Sequence, residues 1–325
     1  MAIRMQLSLA VVLALLAAFP AAAWGPRGQA AIVSTAMNLL SKGGELPLVR
    51  LAGEIKEGAA VPMSELELSY PGLAANPLEA IASEMAVLSA MRQSRVDAYY
   101  AYRMGVLGKV VAMVTSPMRG APINYRNQYG EDTDRAFQGV QLRQSPRKDA
   151  NSRDYFQRLL LELRVGDEMI LKQYQDGVGF KGIASATLSA DASRSVSAVC
   201  DVWWTVLSSK TVPGGVSEAQ MQRYVLDAYA FFIKRRNEKE LDQADAQYGA
   251  LTPLTPDMRA KIGDLLMEAE YKERAIREYE AVIASAPDRR DVVQKVADHY
   301  VGEGDAALKE NKLEEALADY ERAVK

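Results

Sequence analysis

A chain of 325 residues that is 49% hydrophobic and 25% charged, with a formal net charge of -3, has the composition of a globular protein long enough for one large or two small domains, which excludes disordered and fibrous architectures. Lysine and arginine (39) are balanced by aspartate and glutamate (42), so there is no excess positive charge for broad neutralisation of a nucleic-acid backbone. One histidine (His299), late in the chain, and one cysteine (Cys200) cannot supply a Cys/His zinc cluster, a disulfide framework or a Ser-His triad in the body of the protein.

The chain opens with Arg4, an apolar run from Leu7 to Phe19 and the small-residue sequence Pro20-Ala21-Ala22-Ala23, which together predict a secretory signal peptide over residues 1–23 and a mature chain starting at Trp24. The run is short for a bilayer whose hydrocarbon core is roughly 30 Å thick, and no other segment is apolar enough to span one. No cysteine lies near the cleavage point, so lipoprotein processing is not indicated. The expected product is secreted or periplasmic, with Cys200 as a lone buried thiol.

Apolar residues Ala30, Ile32, Val33, Ala36, Leu39 and Leu40 recur at helical spacing, and Gly43-Gly44 supplies a stop, so residues 27–42 are predicted as an amphipathic helix. Prolines 47, 62, 71 and 77 break the next stretch into a short helix with loops, and Pro77 to Met91 is helical again. From Arg95 to Ser116 the chain is apolar without strand alternation, too long for a strand, and halted at Ser116-Pro117, which predicts a largely buried helix. Residues 120–152 are polar and carry Pro122 and Pro146, the pattern of a long excursion or mobile lid. Helices are expected over roughly 153–174, 190–208 and 216–249, and the absence of period-2 strands makes the class all-α.

After the proline-bearing linker from Leu251 to Pro256, the composition shifts toward Ala, Glu, Lys and Tyr, and a repeat begins. Ile262, Gly263, Leu266, Ala275, Tyr279 and Pro287 form one copy; Gly304, Ala316, Tyr320 and Ala323 form a second with a longer first helix. This pattern resembles the tetratricopeptide repeat, in which small residues let two helices approach and the stacked hairpins form a groove for another protein. The expected organisation is a signal peptide over 1–23, a helical domain over 24–250 and a repeat region over 251–325. Because Lys325 falls inside the second copy, the array is expected either to continue past it or to dock on the first domain.

Two further stretches belong together: Trp24-Gly25-Pro26-Arg27-Gly28-Gln29, and the end of the buried helix with Lys109, Met113, Pro117 and Arg119. They resemble the superfamily of zinc-dependent phospholipase C and single-strand-specific zinc nucleases. That all-α family holds three zinc ions with an N-terminal Trp, a nearby His and a later His-x3-Asp-x5-His. The resemblance implies a shared fold over about residues 24–250, with Trp24 at the N-terminal ligand position. Gln29, Lys109 and Arg119 then stand at histidine positions and Met113 at the bridging aspartate, so the zinc ligands are lost. A later family pair aligns with Ser197 and Asp201 ahead of Trp203-Trp204, where only the acid survives. The resemblance therefore implies a degenerate site at Trp24, Gln29, Lys109, Met113, Arg119 and Asp201, with no metal, no other cofactor and no catalytic residue.

The plainer reading of the same residues makes Met113 core packing, Lys109 a side chain reaching the surface, Trp203 and Trp204 core and rim, and His299 a surface or packing residue. In the degenerate site Lys109 and Arg119 are expected to pair with Asp201 as cross-links replacing metal, or to hold a phosphate-bearing ligand. Three functional classes follow. The first is a secreted non-catalytic protein with a repeat module for protein–protein interaction. The second is a metal-dependent phosphodiesterase whose altered site draws on Trp24, Asp201 and acids such as Asp97, Glu131 or Asp132. The third is a helical repeat scaffold alone. The first is the reading adopted, and convergence of Gln29, Lys109, Arg119 and Asp201 on Trp24 would separate it from the third.

Overall fold

The computed structural model describes residues 23–46, 48–70, 73, 76–94, 96–143, 145–151, 153–208, 215–249 and 251–324. The expected signal peptide thus lies, apart from Ala23, outside the described residues. Among these residues there are fourteen α-helices and no strand, so the protein is all-α. No helix among them is long and apolar enough to cross a membrane. The chain divides into two compact units, with the boundary between Val216 and Ser217.

The first unit contains α1 (Pro26–Lys42), α2 (Ala52–Ala60), α3 (Met63–Ser69), α4 (Pro77–Ser94), α5 (Ala98–Val114), α6 (Ile123–Ala136), α7 (Arg153–Gln175) and α8 (Ile183–Ser208). Asp97 caps α5 by accepting the Tyr100 N–H at 2.9 Å. From Met104 to Val114 every residue of α5 is buried, as expected of a helix apolar on all sides. Helices α1, α2, α4 and α8 pack around it. The closest approach is made by two glycines: a Cβ on Gly105 would lie 2.0 Å from the Ile55 carbonyl oxygen, and one on Gly58 would lie 1.9 Å from that of Tyr102. One turn further along α5 the Trp203 ring lies against Gly108, and its Nε1 donates to the Met104 carbonyl at 2.9 Å.

Between α4 and α5 the core holds an ion pair that sequence reading missed. Arg103 grips Glu84 through Nε (2.8 Å) and Nη2 (2.6 Å), donates from Nη1 to the Tyr99 hydroxyl at 2.7 Å, and lies over the Tyr70 ring. Both ends are buried, and the planar guanidinium satisfies both carboxylate oxygens.

The second unit is three helical hairpins: α9 (Glu218–Lys234) with α10 (Glu238–Tyr248), α11 (Pro256–Glu268) with α12 (Lys272–Ser285), and α13 (Arg290–Lys309) with α14 (Leu313–Val324). A left-handed residue sits at each hairpin turn: Arg236, Glu270 and Asn311, spaced 34 and then 41 residues apart. The second and third hairpins repeat one packing device. The Tyr279 ring lies against Gly263 and the Tyr320 ring against Gly304, where any Cβ would collide, and each tyrosine donates at 2.6 Å to the residue after its glycine, Asp264 or Asp305. In the first hairpin the partners change helices, with Tyr229 on α9 bonded to Asp245 on α10.

Several expectations are corrected. The stretch 120–152 is not a free lid: α6 occupies its first half, and residues 141–150 are fastened to α8 by side-chain hydrogen bonds. The helix expected from 190 starts at Ile183. The segment 216–249 is two helices, because Asn237 caps a new one after the Arg236 turn. Consequently residues 217–250, assigned by sequence to the first domain, fall in the second unit.

Candidate functional site

The Trp24 segment is built by its glycines and by α6. Pro26 starts α1, whose first N–H groups have no cap from their own segment. Asp134 on α6 replaces it, accepting from Gly28 N at 2.8 Å and Arg27 N at 3.2 Å, where the helix dipole favours negative charge. A Cβ on Gly25 would lie 2.4 Å from that carboxyl group, so glycine there reflects this close approach. The Trp24 ring is 1% exposed and lies 5.9 Å, centroid to centroid, from both Tyr129 and Phe137.

Polar groups then close around Trp24. Its main-chain N–H donates to Ser116 Oγ at 2.7 Å, and its carbonyl accepts from Gln29 Nε2 at 2.7 Å. Its indole N–H donates to Ser195 Oγ at 3.2 Å, and Ser195 in turn bonds the Thr115 hydroxyl and carbonyl at 3.0 and 3.1 Å. The start of α1, the end of α5 and the middle of α8 are thereby cross-linked by neutral hydrogen bonds. Ser116 donates its own proton to the Pro117 carbonyl, and the first unit itself contains no histidine.

The following turn adds charge. Met118 takes a left-handed conformation (φ 63°), and its N–H donates to Asp167 Oδ1 at 2.9 Å. Burial, opposed by that N–H and by Arg119 and reinforced by Asp191, pushes the Asp167 carboxyl up to about 6. Burial also lowers the Arg119 guanidinium, and Asp167 counters this. The buried Tyr129 hydroxyl makes no hydrogen bond, and the Asp191 and Asp167 charges add to burial in raising its pKa.

A pH dependence follows. The folded Asp167 carboxyl keeps its proton up to about pH 6, whereas its ordinary pKa is 3.8. Its stabilising contribution is full below the lower value and is lost as pH rises through the upper one. Thermal melts across this window are expected to fall with pH more steeply in the native protein than in Asp167→Asn, which keeps an oxygen for Met118. Parallel curves would remove Asp167 from this role.

The six positions singled out in the sequence do not converge. Gln29 meets Trp24 as a neighbour one helical turn on, but the side chain facing the Trp24 N–H is Ser116, not Met113, which is buried in the core. Lys109 lies on the same face two turns earlier, about 10.5 Å along the axis. It does not reach the surface: it is buried, and its Nζ donates to the Val61 carbonyl at the C-terminal cap of α2, with burial lowering its pKa. Asp201 is six residues past Ser195, about 240° around α8, and so faces another side. There it accepts from Lys148 N at 3.0 Å and from the Tyr155 hydroxyl at 2.9 Å. The expected pairing of Lys109 and Arg119 with Asp201 is therefore replaced by separate partners: a carbonyl for Lys109 and the nearby Asp167 for Arg119.

The further acids considered are engaged elsewhere. Asp97 caps α5, Glu131 and Asp132 meet Arg135, and Asp132 also accepts from Tyr174. Among the described residues no group of three or more His, Cys, Asp or Glu is arranged to hold a metal ion. The Trp24 surroundings do not fit the trinuclear zinc site that the resemblance would imply, because the partners of its main chain are a hydroxyl and an amide. Cys200 is buried and its thiol is pushed up to about 12, which leaves it unreactive. Trp203 is fully buried and Trp204 partly so.

No protein-family model, no curated protein and no solved structure matches this chain.

Proposed function

We propose that this protein is a secreted or periplasmic, non-catalytic scaffold. Its first unit is a degenerate zinc phospholipase C-like domain of which only the Trp24–Gln29 contact persists, with Lys109, Arg119 and Asp201 moved to separate partners and hydrogen bonds doing the cross-linking that metal does elsewhere. Its second unit is a tetratricopeptide-type array that binds another protein. The observation that carries the non-catalytic reading is the donor set around Trp24, with Gln29 Nε2 on its carbonyl and the Ser116 hydroxyl beside its nitrogen, both neutral and poor ligands for zinc. The interaction role is supported by the Gly–Tyr–Asp packing that closes the second and third hairpins in the same way, the repeated helical-hairpin unit from which such arrays are built.

The test is metal content and phosphodiesterase activity of the form beginning at Trp24, after dialysis against zinc and, separately, manganese. The expected result is no stoichiometric metal, no cleavage of phosphatidylcholine or a chromogenic diester, and a thermal transition unchanged by chelator. Bound metal with turnover would overturn this reading in favour of an altered-site phosphodiesterase. A photo-crosslinker at Leu254, in a cavity of about 400 Å³ within the second unit, is expected to trap a partner that one at the exposed Leu161 of the first unit does not. Identical patterns would remove the repeat unit from binding.

A further inference from the structure

Ser189, Ser193, Ser197, Asp201 and Thr205 recur at every fourth position of α8 and form one polar stripe. Four of the five fasten the segment 141–150. Ser189 donates to the Gln141 carbonyl, Ser193 accepts from Arg143 N at 2.8 Å, Asp201 from Lys148 N at 3.0 Å and Thr205 from Ala150 N at 2.9 Å. At both ends two residues of segment accompany one helical turn, a match of ~6.6 Å to ~6 Å. In the middle the match fails: five residues, able to span ~16 Å, run beside two turns of ~12 Å. The central rung, Ser197, is turned back to donate to the Ser193 carbonyl at 2.8 Å. Beside this middle stretch is a cavity of about 490 Å³, lined by Arg143, Ser145, Lys148 and Asp149 and by side chains of α7 and α8.

We propose that this cavity binds a small organic phosphate ester. Buried Ser197, half-buried Ser193 and exposed Ala190 line it on the α8 side, and their small side chains leave the space open. Arg143, Lys148, Arg158 and Arg194 stand around it. The acids that line it are already engaged. Asp201 has both oxygens hydrogen-bonded, Asp149 accepts from Asn151 N at 2.8 Å, and Glu162 lies 3.8 Å from Arg194. Arg194 is also held by Asp191 at 2.7 Å, whereas Arg143 and Lys148 form no ion pair within 4 Å among the described residues. These two exposed cations, of which Lys148 also acts on the Asp201 carboxylate, favour an anion, and Arg supplies the bidentate geometry that phosphate favours. The volume exceeds that of a bare phosphate and matches a compact organic ligand. The site lies on a different face of α8 from Ser195 and does not depend on the reading of the Trp24 cluster.

The test is calorimetric titration of the full chain, at low ionic strength, with glucose 6-phosphate, glycerol 3-phosphate, inorganic phosphate and uncharged glucose. One of the two esters is expected to bind once per chain, more tightly than inorganic phosphate, and glucose not to bind. A preference for glycerol 3-phosphate would indicate a lipid-headgroup source, and a preference for glucose 6-phosphate a free metabolite. The Arg143→Gln, Lys148→Gln double variant, altered only at exposed side chains, is expected to weaken binding by about tenfold or more with its thermal transition unchanged. Ser197→Leu, which fills the space on the α8 side without altering charge, is expected to abolish binding. Failure of both esters to bind, or equal binding by the double variant, would overturn the proposal.

Discussion

Alanine at position 105 destabilises the first unit by about 3 kcal/mol or more, as an overpacking substitution does when backbone has to move. The expected collision is with the Ile55 carbonyl oxygen, 2.0 Å from the new Cβ, and neither helix has a side chain there that could rotate away. Gly58→Ala meets the Tyr102 carbonyl at 1.9 Å and should behave alike. Gly53→Ala, on the same α2 but with nothing within 4 Å of its Cβ, is the control. It should stabilise by about 0.5–1 kcal/mol, because alanine loses less backbone entropy in a helix. Urea unfolding followed by tryptophan fluorescence measures all three. A Gly105→Ala midpoint at or above the native one would show that α2 and α5 are not in close backbone contact.

Removing one end of the buried ion pair has an effect of similar size. Glu84→Leu leaves the Arg103 guanidinium in the core without its carboxylate, a loss of about 3–5 kcal/mol. Its contacts with Tyr99 and Tyr70 do not compensate, since neither supplies negative charge. Adding Arg103→Met to Glu84→Leu should recover most of the loss, because a well-packed apolar pair often matches a buried ionic one. The double-mutant cycle in urea separates the cases. If Glu84→Leu alone were as stable as the native protein, the pair would have to be open to water.

What sequence could show depended on whether a signal was local. Helix α1 was legible within a residue of its start because its apolar stripe and its glycine stop lie in one stretch. The Gly–Tyr spacing of the second and third hairpins was legible for the same reason. Helix α6 was not, because it buries only Tyr129, Gly130 and Thr133 of its fourteen residues and so has no apolar period to detect. The second unit starts at Ser217, ahead of the repeat region expected from 251, and its first hairpin lacks the Gly–Tyr spacing that marks the other two.

At the site, the Trp24–Gln29 contact follows from a separation of five residues at a helix start. The choice of Ser116 over Met113 depends on how far along the α5 axis the Trp24 chain arrives, which no spacing within α5 encodes. The four-residue stripe on α8 was present in the sequence. Its meaning came only with the extended segment laid along it.

The unequal repeat lengths of the second unit have a consequence of their own. The third turn follows the second by 41 residues instead of 34, and the extra seven lie in α13 ahead of Gly304. Seven residues are two helical turns to within about 20°, so the added length leaves Gly304 and Asp305 at nearly the same rotation toward Tyr320. Growth of such an array is stepwise. Insertions of a heptad lengthen one rod and preserve the contacts between rods, whereas an insertion of five would carry the glycine off the tyrosine and unlock the hairpin. The gene can thus vary the reach of this unit in fixed increments without redesigning its joints.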